Sequence, residues 1–198
     1  MNLYKRNKII LASSSKQRQV LLRQLGINNF KIVSPIFDED SYKVRLPITK
    51  RVVELSYLKA NSIKNYPKVT DEIIISADTE VFRCGKVFSK CLSKDDVKSH
   101  LSQLSGKRHL VFGGICVIDN NGYIHKRLVK SEVYFDLISN KELNNSVLLK
   151  EGIGKAGGYA IQGIGGKFVR KIRGSYSNVV GLCLNNLYKI LINIGFKN

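Results

Sequence analysis

The 198-residue chain lacks several features that would place it in a protein class at once. No apolar run approaches the ~20 residues that cross a bilayer, so we expect no membrane span. The apolar run after Lys5, Arg6 and Lys8 is shorter than the roughly 7–15 residues of a signal-peptide core, and we expect no export signal. There is also no internal repeat, low-complexity segment or Pro/Ser-rich linker. These absences favour a single domain over residues 1–198.

Cysteine and histidine patterns that bind metals or build nucleophiles are also missing. The four cysteines have no metal-like close spacing and fit free thiols in a reducing cytosol, so we expect a cytoplasmic protein. The three histidines fall on different predicted elements and build no metal or nucleophile system. Neither a G-x-S-x-G elbow nor a C-x-x-C pair occurs.

Acidic residues are scarce. The sequence has 33 Lys and Arg against 15 Asp and Glu, a net charge of +18. Such an excess attracts polyanions, which include nucleic acids, nucleotides and acidic membrane surfaces. The basic residues are spread along the chain, however, and the abundance of Lys, Asn and Ile equally fits the bias of an AT-rich genome. The net charge therefore does not identify a partner.

Patterns typical of strands and helices alternate along the chain. The predicted strands cover residues 8–12, 30–33, 73–77, 109–118, 123–138 and 167–172. The predicted helices cover about 16–25, a segment opened by Pro47, a segment capped by Ser93, about 140–149, and a last segment with Leu184, Leu187, Tyr188 and Leu191 on one face. Asn120-Asn121-Gly122 indicates a hairpin between two of the strands. The order favours an α/β fold with a mixed sheet.

The strand predicted at 73–77 is followed directly by Asp78 and Thr79. A buried strand that ends in a carboxylate commonly places chemistry at the mouth of a sheet. The alternative is that Asp78 only caps the next turn.

A second candidate site is the turn Leu11–Arg18. Backbone N–H groups at a helix start bind phosphate, and the hydroxyls of Ser13 and Ser15 would add donors next to Lys16 and Arg18. The alternative is an ordinary serine N-cap beside solvated basic residues. The turn lacks the glycines of a Walker A loop.

Three further segments contain residues that could bind a metal ion, a phosphate or a base. The acidic stretch 38–40, which includes Glu39, could hold Mg²⁺ or could be a polar loop. Lys59 and Lys90 could each clamp a phosphate or lie on a solvated face. In the glycine-rich stretch 155–163, Gln162 has the donor and acceptor needed to read the edge of a base, whereas the alternative is a flexible turn.

Taken in order, these segments resemble the Maf family of nucleoside triphosphate pyrophosphatases over roughly residues 8–192. The matching segments are Leu11-Ala12-Ser13-Ser14-Ser15 with Arg18 and Leu21-Leu22, Asp38-Glu39, Lys59-Ala60, Ala77-Asp78-Thr79, Leu104-Ser105-Gly106 with His109, Lys155-Ala156-Gly157-Gly158-Tyr159 with Ile161-Gln162-Gly163, and Ser177-Asn178-Val179-Val180-Gly181-Leu182. The resemblance implies an α/β fold of the inosine-triphosphatase type, with a mixed twisted sheet, flanking helices and two lobes around a cleft. It also implies a homodimer.

The resemblance further implies hydrolysis of a nucleoside triphosphate to the monophosphate and pyrophosphate with a divalent cation, Mg²⁺ or Mn²⁺. Asp78 would be the proton acceptor and, with Glu39, a metal ligand. The phosphate contacts would fall on Ser13, Ser15, Arg18, Lys59 and Lys90. Thr79 and Gln162 match members that prefer dTTP and UTP.

The main departure from the family pattern is Gln17. The family usually has Arg at this position, which is a specificity position like those of Thr79 and Gln162. An uncharged amide cannot make a charge-assisted contact to phosphate, which is roughly twice as strong as a neutral one. One alternative function is therefore a nucleotide-binding regulator of cell division with little turnover. Another is a basic nucleic-acid-binding protein, which the placement of Tyr and Phe in predicted strands and helix faces makes a weaker hypothesis.

Overall fold

The computed structural model describes residues 8–37, 45–64 and 72–196. Nearly all of the helices and strands predicted from the sequence are present in the structure. The strands are β1 (Lys8–Leu11), β2 (Phe30–Ile32), β3 (Glu72–Arg83), β4 (Lys86–Phe88), β5 (Arg108–Ile118), β6 (Ile124–Phe135) and β7 (Val169–Arg173). The helices are α1 (Lys16–Gln24), α2 (Ile48–Lys64), α3 (Lys94–Leu104), α4 (Asn140–Leu143), α5 (Ser146–Gly152), α6 (Tyr176–Val180) and α7 (Leu184–Asn193), with a 3₁₀ helix at Ile164–Phe168.

Local signals explain where several elements begin. Pro47 opens α2, and its carbonyl accepts the N–H of Arg51 at 2.9 Å. Ser93 and Asp96 form a capping box at the start of α3, as the sequence predicts for Ser93. The hairpin between β5 and β6 is also confirmed, with the N–H of Gly122 bonded to the Asp119 carbonyl at 2.9 Å.

Some predicted boundaries are wrong. The helix expected over 140–149 is two helices, because Asn145 caps α5 by accepting the N–H groups of Val147 and Leu148 at 3.0 and 3.1 Å. The strand expected over 167–172 is preceded by the 3₁₀ helix and begins at Val169. The short elements β4 and α6 are not predicted from the sequence.

The strands form one seven-stranded mixed sheet in the order β2-β1-β3-β5-β6-β7, with β4 paired to β3. Strand β1 is parallel to both β2 and β3, whereas the β3–β4 and β6–β7 pairs are antiparallel. This mixed sheet with helices between its strands confirms the predicted α/β class.

The chain divides into two compact units. The first comprises Met1–Asp78, Gly113–Val129 and Gly181–Asn198. Its core contains residues from β1, α2, β3 and β5 together with Ala12, which follows β1. The other members are Ile10, Ala60, Ile63, Ile74, Cys116 and Ile118. Burial of these apolar side chains fixes α2 against the parallel strands.

The second unit comprises Thr79–Phe112 and Lys130–Val180. Its core includes α3, α5 and an aromatic group in which the Phe135 ring contacts Tyr159 and His109 edge to face, at centroid distances of 4.8 and 4.9 Å. Edge-to-face pairs of this kind stabilise a core beyond the burial of their area.

Candidate functional site

In the first unit, the turn between β1 and α1 is built around the Ser13 hydroxyl. Its Oγ accepts the backbone N–H of Ser15 at 3.2 Å and Nη1 of Arg18 at 3.1 Å. The Ser15 side chain caps α1, with its Oγ 3.5 Å from the Arg18 backbone nitrogen. The turn is therefore both the serine N-cap and a group of donors at a helix start, so the two interpretations of this segment are compatible.

Arg18 is oriented by a second contact far away in the sequence. Its Nε donates to the carbonyl oxygen of Gly181 at 3.0 Å, across 163 positions of the chain. With Nη1 bonded to Ser13, the plane of the guanidinium is fixed at two points. A fixed planar guanidinium suits the recognition of phosphate or carboxylate oxygens.

Gln17 lies in the same turn and is half-buried. Its Oε1 accepts the Ser15 hydroxyl at 3.4 Å. The amide therefore belongs to the hydrogen-bond network of the turn, next to Arg18, although it contributes no charge.

Asp78 does not cap a turn. Strand β3 continues from Glu72 to Arg83, so the strand end predicted at residue 77 is wrong and Asp78 lies inside the strand. The strand continues between its neighbours β1 and β5, and its last residues, Val81 to Arg83, also pair with β4. Its polar residues Asp78 and Thr79 interrupt the apolar pattern without interrupting the backbone.

Asp78 forms an ion pair with Lys59 of α2. The Lys59 Nζ lies 2.5 Å from Asp78 Oδ1, and the two side chains are only 7% and 6% exposed. A second bond, from the Ser76 hydroxyl to the Ser56 carbonyl, ties the same helix to the same strand. The alternative that Lys59 lies on a solvated face is therefore wrong. The sequence contains a clue, because Leu55, Lys59 and Ile63 recur every four residues on the buried face of α2.

The register of the sheet relates these two features of the first unit. Leu11 pairs with Ile75 in the parallel β1–β3 ladder, and the Ala12 N–H bonds to the Ile75 carbonyl at 2.8 Å. The Ser13 turn therefore leaves the sheet beside the residues of β3 that lead to Asp78. The first unit thus combines a hydroxyl-rich, cationic turn with a buried carboxylate, a set suited to an anionic ligand and proton transfer.

In the second unit, Lys90 lies beside the glycine-rich stretch. Lys90 is exposed and its backbone bridges to Ala156, while the N–H of Gly157 bonds to the Phe88 carbonyl at 3.1 Å. A Cβ on Gly157 would lie 3.2 Å from the Val81 side chain. Thr79 is half-buried and lies two residues before Val81, on the same face of β3.

Tyr159 fixes the middle of the glycine-rich stretch. Its hydroxyl lies 2.8 Å from Nε2 of His109, and both residues are buried. Burial, with the nearby Arg83 cation, lowers the pKa of His109 to about 4, and burial raises the pKa of Tyr159. Both side chains are therefore neutral near pH 7. Gln162, three residues after Tyr159, is exposed.

The predicted metal ligand Glu39 lies outside the described residues. Within the ranges 8–37, 45–64 and 72–196, no group of three or more His, Cys, Asp or Glu side chains could hold a metal ion. Two residues for which the sequence predicts no role contact the predicted segments: Gly181, whose carbonyl accepts from Arg18, and Glu151. Glu151 accepts the backbone N–H groups of Ile164 and Gly165, just after Gln162.

Comparison with known proteins shows which family and which relatives the chain is similar to. Residues 8–194 match the family described as "Maf-like protein". The chain is 42% identical over 189 residues to a protein of Clostridium novyi (strain NT) named dTTP/UTP pyrophosphatase, covering 95% of this chain and 98% of that protein.

Two other relatives are similar at comparable levels. A dTTP/UTP pyrophosphatase of Sphingopyxis alaskensis is 38% identical over 187 residues, covering 94% of this chain and 96% of that protein. A nucleoside triphosphate pyrophosphatase of Neorickettsia sennetsu is 40% identical over 187 residues, covering 94% and 88%. Among solved structures, a HAM1 protein from Coxiella burnetii has a TM-score of 0.44 and 16% identity, covering 65% of this chain and 73% of that chain.

Proposed function

Since the chain belongs to the Maf-like protein family, we propose that it is an enzyme that hydrolyses a nucleoside triphosphate to the monophosphate and pyrophosphate. One structural observation carries the proposal: the buried Lys59–Asp78 pair lies in the same unit as the Ser13–Arg18 turn. Phosphate-binding donors and a carboxylate that can take a proton are the two groups that this reaction requires.

The turn of the first unit binds phosphate in this proposal. A triphosphate is polyanionic, and its charge repels an attacking water. The N–H groups at the start of α1 and the guanidinium of Arg18, which Ser13 and Gly181 orient, offset that charge and hold the pyrophosphate leaving group. Ser15 and Lys90 are proposed as further phosphate contacts.

Asp78 acts as general base. A water oxygen bonds to the α-phosphorus, its proton passes to Asp78, and the bond from the α-phosphorus to the bridging oxygen breaks to release pyrophosphate. In the free chain, Lys59 donates to Asp78 Oδ1. A bound triphosphate offers Lys59 a second anionic partner, so the lysine can neutralise phosphate charge while Asp78 receives the proton.

The donor set fits a divalent cation that is held mainly by the substrate. Mg²⁺ is usually bound through one or two carboxylates together with substrate phosphates, and Asp78 would supply such a carboxylate, with Glu39 proposed as the second. A bound Mg²⁺ or Mn²⁺ would withdraw charge from the phosphates. A cage of three protein ligands is not needed for this role.

We also propose a preference for dTTP and UTP, the substrates named for two of the relatives. Thr79 and Gln162 are the proposed base-selecting residues, and Gln17 is the third specificity position. A side-chain amide offers both a donor and an acceptor, which a pyrimidine edge can satisfy.

The compartment and the assembly are likewise proposals. All four cysteines are free, which supports a reducing cytoplasm. No helix in the described part of the chain is long and apolar enough to cross a membrane. A homodimer stays a prediction, which light scattering on the purified chain would test.

A panel of normal and modified nucleoside triphosphates, assayed for pyrophosphate release with Mg²⁺ or Mn²⁺, tests the activity. We expect the fastest turnover with dTTP and UTP. Binding without turnover in single-turnover assays would instead support the regulator. A salt-dependent gel shift without pyrophosphate release would support the nucleic-acid binder.

A further inference from the structure

Glu151 anchors the segment that carries Gln162. Glu151 lies near the end of α5, and its two carboxylate oxygens each accept one backbone N–H. Oε2 accepts from Ile164 at 3.0 Å, and Oε1 accepts from Gly165 at 3.1 Å. These N–H groups belong to the first residues of the 3₁₀ helix Ile164–Phe168, where donors have no partner within the helix.

The anchor replaces a missing local cap. Gly163 occupies the N-cap position of the 3₁₀ helix and has no side chain that could accept these bonds. A Cβ built on Gly163 would lie 2.1 Å from Oε2 of Glu151, so the carboxylate occupies the space that a side chain would need. Glu151 and Gly163 are therefore fitted to each other, immediately after Gln162 in the chain.

The other end of the segment is also held. Tyr159 is bonded to His109, and Ala160 and Ile161 are buried. Gln162 is exposed between this buried run and the Glu151 anchor. The backbone on both sides of Gln162 is thus fixed within the second unit, which limits the positions that the exposed amide can reach.

We propose that Glu151 is a positioning residue for base selection, acting through the backbone that fixes Gln162; this inference rests on the proposed function. An amide discriminates between bases only when its donor and acceptor are held in place, because a mobile amide can rotate to suit either pattern. A charged acceptor holds backbone N–H groups about twice as strongly as a neutral one. Glu151 therefore supplies a rigidity that Gln162 cannot provide for itself.

The test compares Glu151→Gln with the matched control Glu142→Gln. Glu142 pairs with Lys167 of the same 3₁₀ helix, but through side chains only, at 2.5 Å. In Glu151→Gln we expect the ratio of kcat/KM for dTTP to kcat/KM for GTP to fall about fivefold to tenfold, through KM more than kcat. Hydrogen exchange at the amides of Ile164 and Gly165 should be about tenfold faster. The control should change neither quantity.

A double-mutant cycle separates positioning from a general structural role. Gln162→Ala alone should lower the same ratio, and adding Glu151→Gln to it should lower the ratio no further, because the two residues act in one interaction. Because Gln162 is exposed, the Gln162→Ala variant should fold normally. The cycle therefore stays interpretable even if Glu151→Gln lowers the melting temperature.

Amide exchange, the dTTP-to-GTP ratio and the double-mutant cycle can each overturn the inference. Faster exchange at both amides with an unchanged dTTP-to-GTP ratio would show that Glu151 is only structural, and unchanged exchange would show that it is no anchor. Additive losses in the cycle would also overturn the inference. These outcomes leave pyrophosphate release intact, whereas a wild-type chain that hydrolyses no nucleotide would overturn the proposed function and the inference with it.

Discussion

Lys59 of helix α2 donates to Asp78 of strand β3 across 2.5 Å, and neither side chain is more than 7% exposed. This buried pair makes Asp78 both a candidate general base and part of the structure that holds α2 on the sheet. Substitutions at either residue therefore change stability and activity together, and the two effects have to be measured separately.

We expect Asp78→Asn to lower pyrophosphate release by about 10²–10⁴-fold, the usual contribution of a general base. We also expect a loss of about 3–5 kcal/mol in the free energy of unfolding, because the buried Lys59 charge then faces a neutral amide and not a carboxylate. Urea unfolding and turnover at a temperature where the variant is folded measure the two effects.

Asp136→Asn is the matched control. Asp136 lies 3.7 Å from Arg170 in an exposed ion pair, and its removal should cost less than about 1 kcal/mol. The double variant Lys59→Met/Asp78→Asn should recover part of the stability but none of the activity. Near wild-type turnover in Asp78→Asn would rule out Asp78 as the base.

Arg18→Lys keeps the positive charge but cannot bond to Ser13 and Gly181 with one planar group. We expect kcat/KM for dTTP to fall at least about tenfold, the effect of losing one charge-assisted contact. Steady-state kinetics measure it. Arg23→Lys, on the exposed side of the same helix, should be neutral, and equal effects in both variants would contradict the role of Arg18.

Gln17→Arg adds a cation beside the fixed Arg18 guanidinium. We expect kcat/KM for UTP to rise, because a charge-assisted contact to phosphate replaces a neutral one. Gln24→Arg adds the same charge on an exposed part of α1 and controls for general attraction of the nucleotide. Equal gains in the two variants would show only general attraction of the nucleotide, and no gain in either would show that the amide at position 17 is already compensated.

The stability of the second unit should depend on pH through His109. Burial lowers its pKa in the folded chain to about 4, against an ordinary value of about 6.5. Between these values the unfolded chain binds a proton that the folded chain does not, so stability falls as the pH drops from about 6.5 to about 4, by roughly 3 kcal/mol in all. Above about pH 6.5 the imidazole is neutral in both the folded and the unfolded chain, so His109 does not lower the stability there.

His109→Gln should flatten this part of the curve of unfolding free energy against pH, even if the variant is less stable at every pH. Urea unfolding at several pH values, with the wild-type chain measured in parallel, gives the two slopes. Identical slopes would mean that the buried imidazole does not account for the acid sensitivity.

The reactivity of the four thiols tests which cysteines are buried in the folded chain. Only Cys84 is exposed, and burial raises the pKa of Cys91 to about 11 and that of Cys116 to about 12. A thiol reagent at pH 7.5 should label the folded chain once and the unfolded chain at all four positions. Cys84→Ser should abolish labelling of the folded chain, as mass spectrometry would show.

The sequence predicts much of the fold because its signals are local. The capping box at Ser93, the turn at Gly122 and the helix opened by Pro47 each depend on residues within a few positions. Strand β3 is predicted too short, because its continuation past Asp78 depends on pairing with neighbouring strands, such as β4 at Val81 to Arg83, and not on its own apolar pattern.

Long-range contacts in the candidate site could not be predicted in this way. Lys59 and Asp78 are each identifiable from the sequence, but their pairing depends on how α2 packs on the sheet. Gly181 belongs to a segment that matches the family, but backbone groups carry no side-chain signature. The contact of its carbonyl with Arg18, and that of Glu151 with backbone N–H groups, could therefore not be predicted.

The bond from Arg18 to Gly181 also has a consequence for biosynthesis. The turn that carries Arg18 leaves the ribosome before the carbonyl that orients it, which is added 163 residues later. A contact between such distant parts of a chain also has a cost in loop-closure entropy, which slows its formation. A nascent or prematurely terminated chain that stops before Gly181 therefore lacks the bond that orients Arg18, and under the proposed function we expect it to bind a triphosphate more weakly than the full chain.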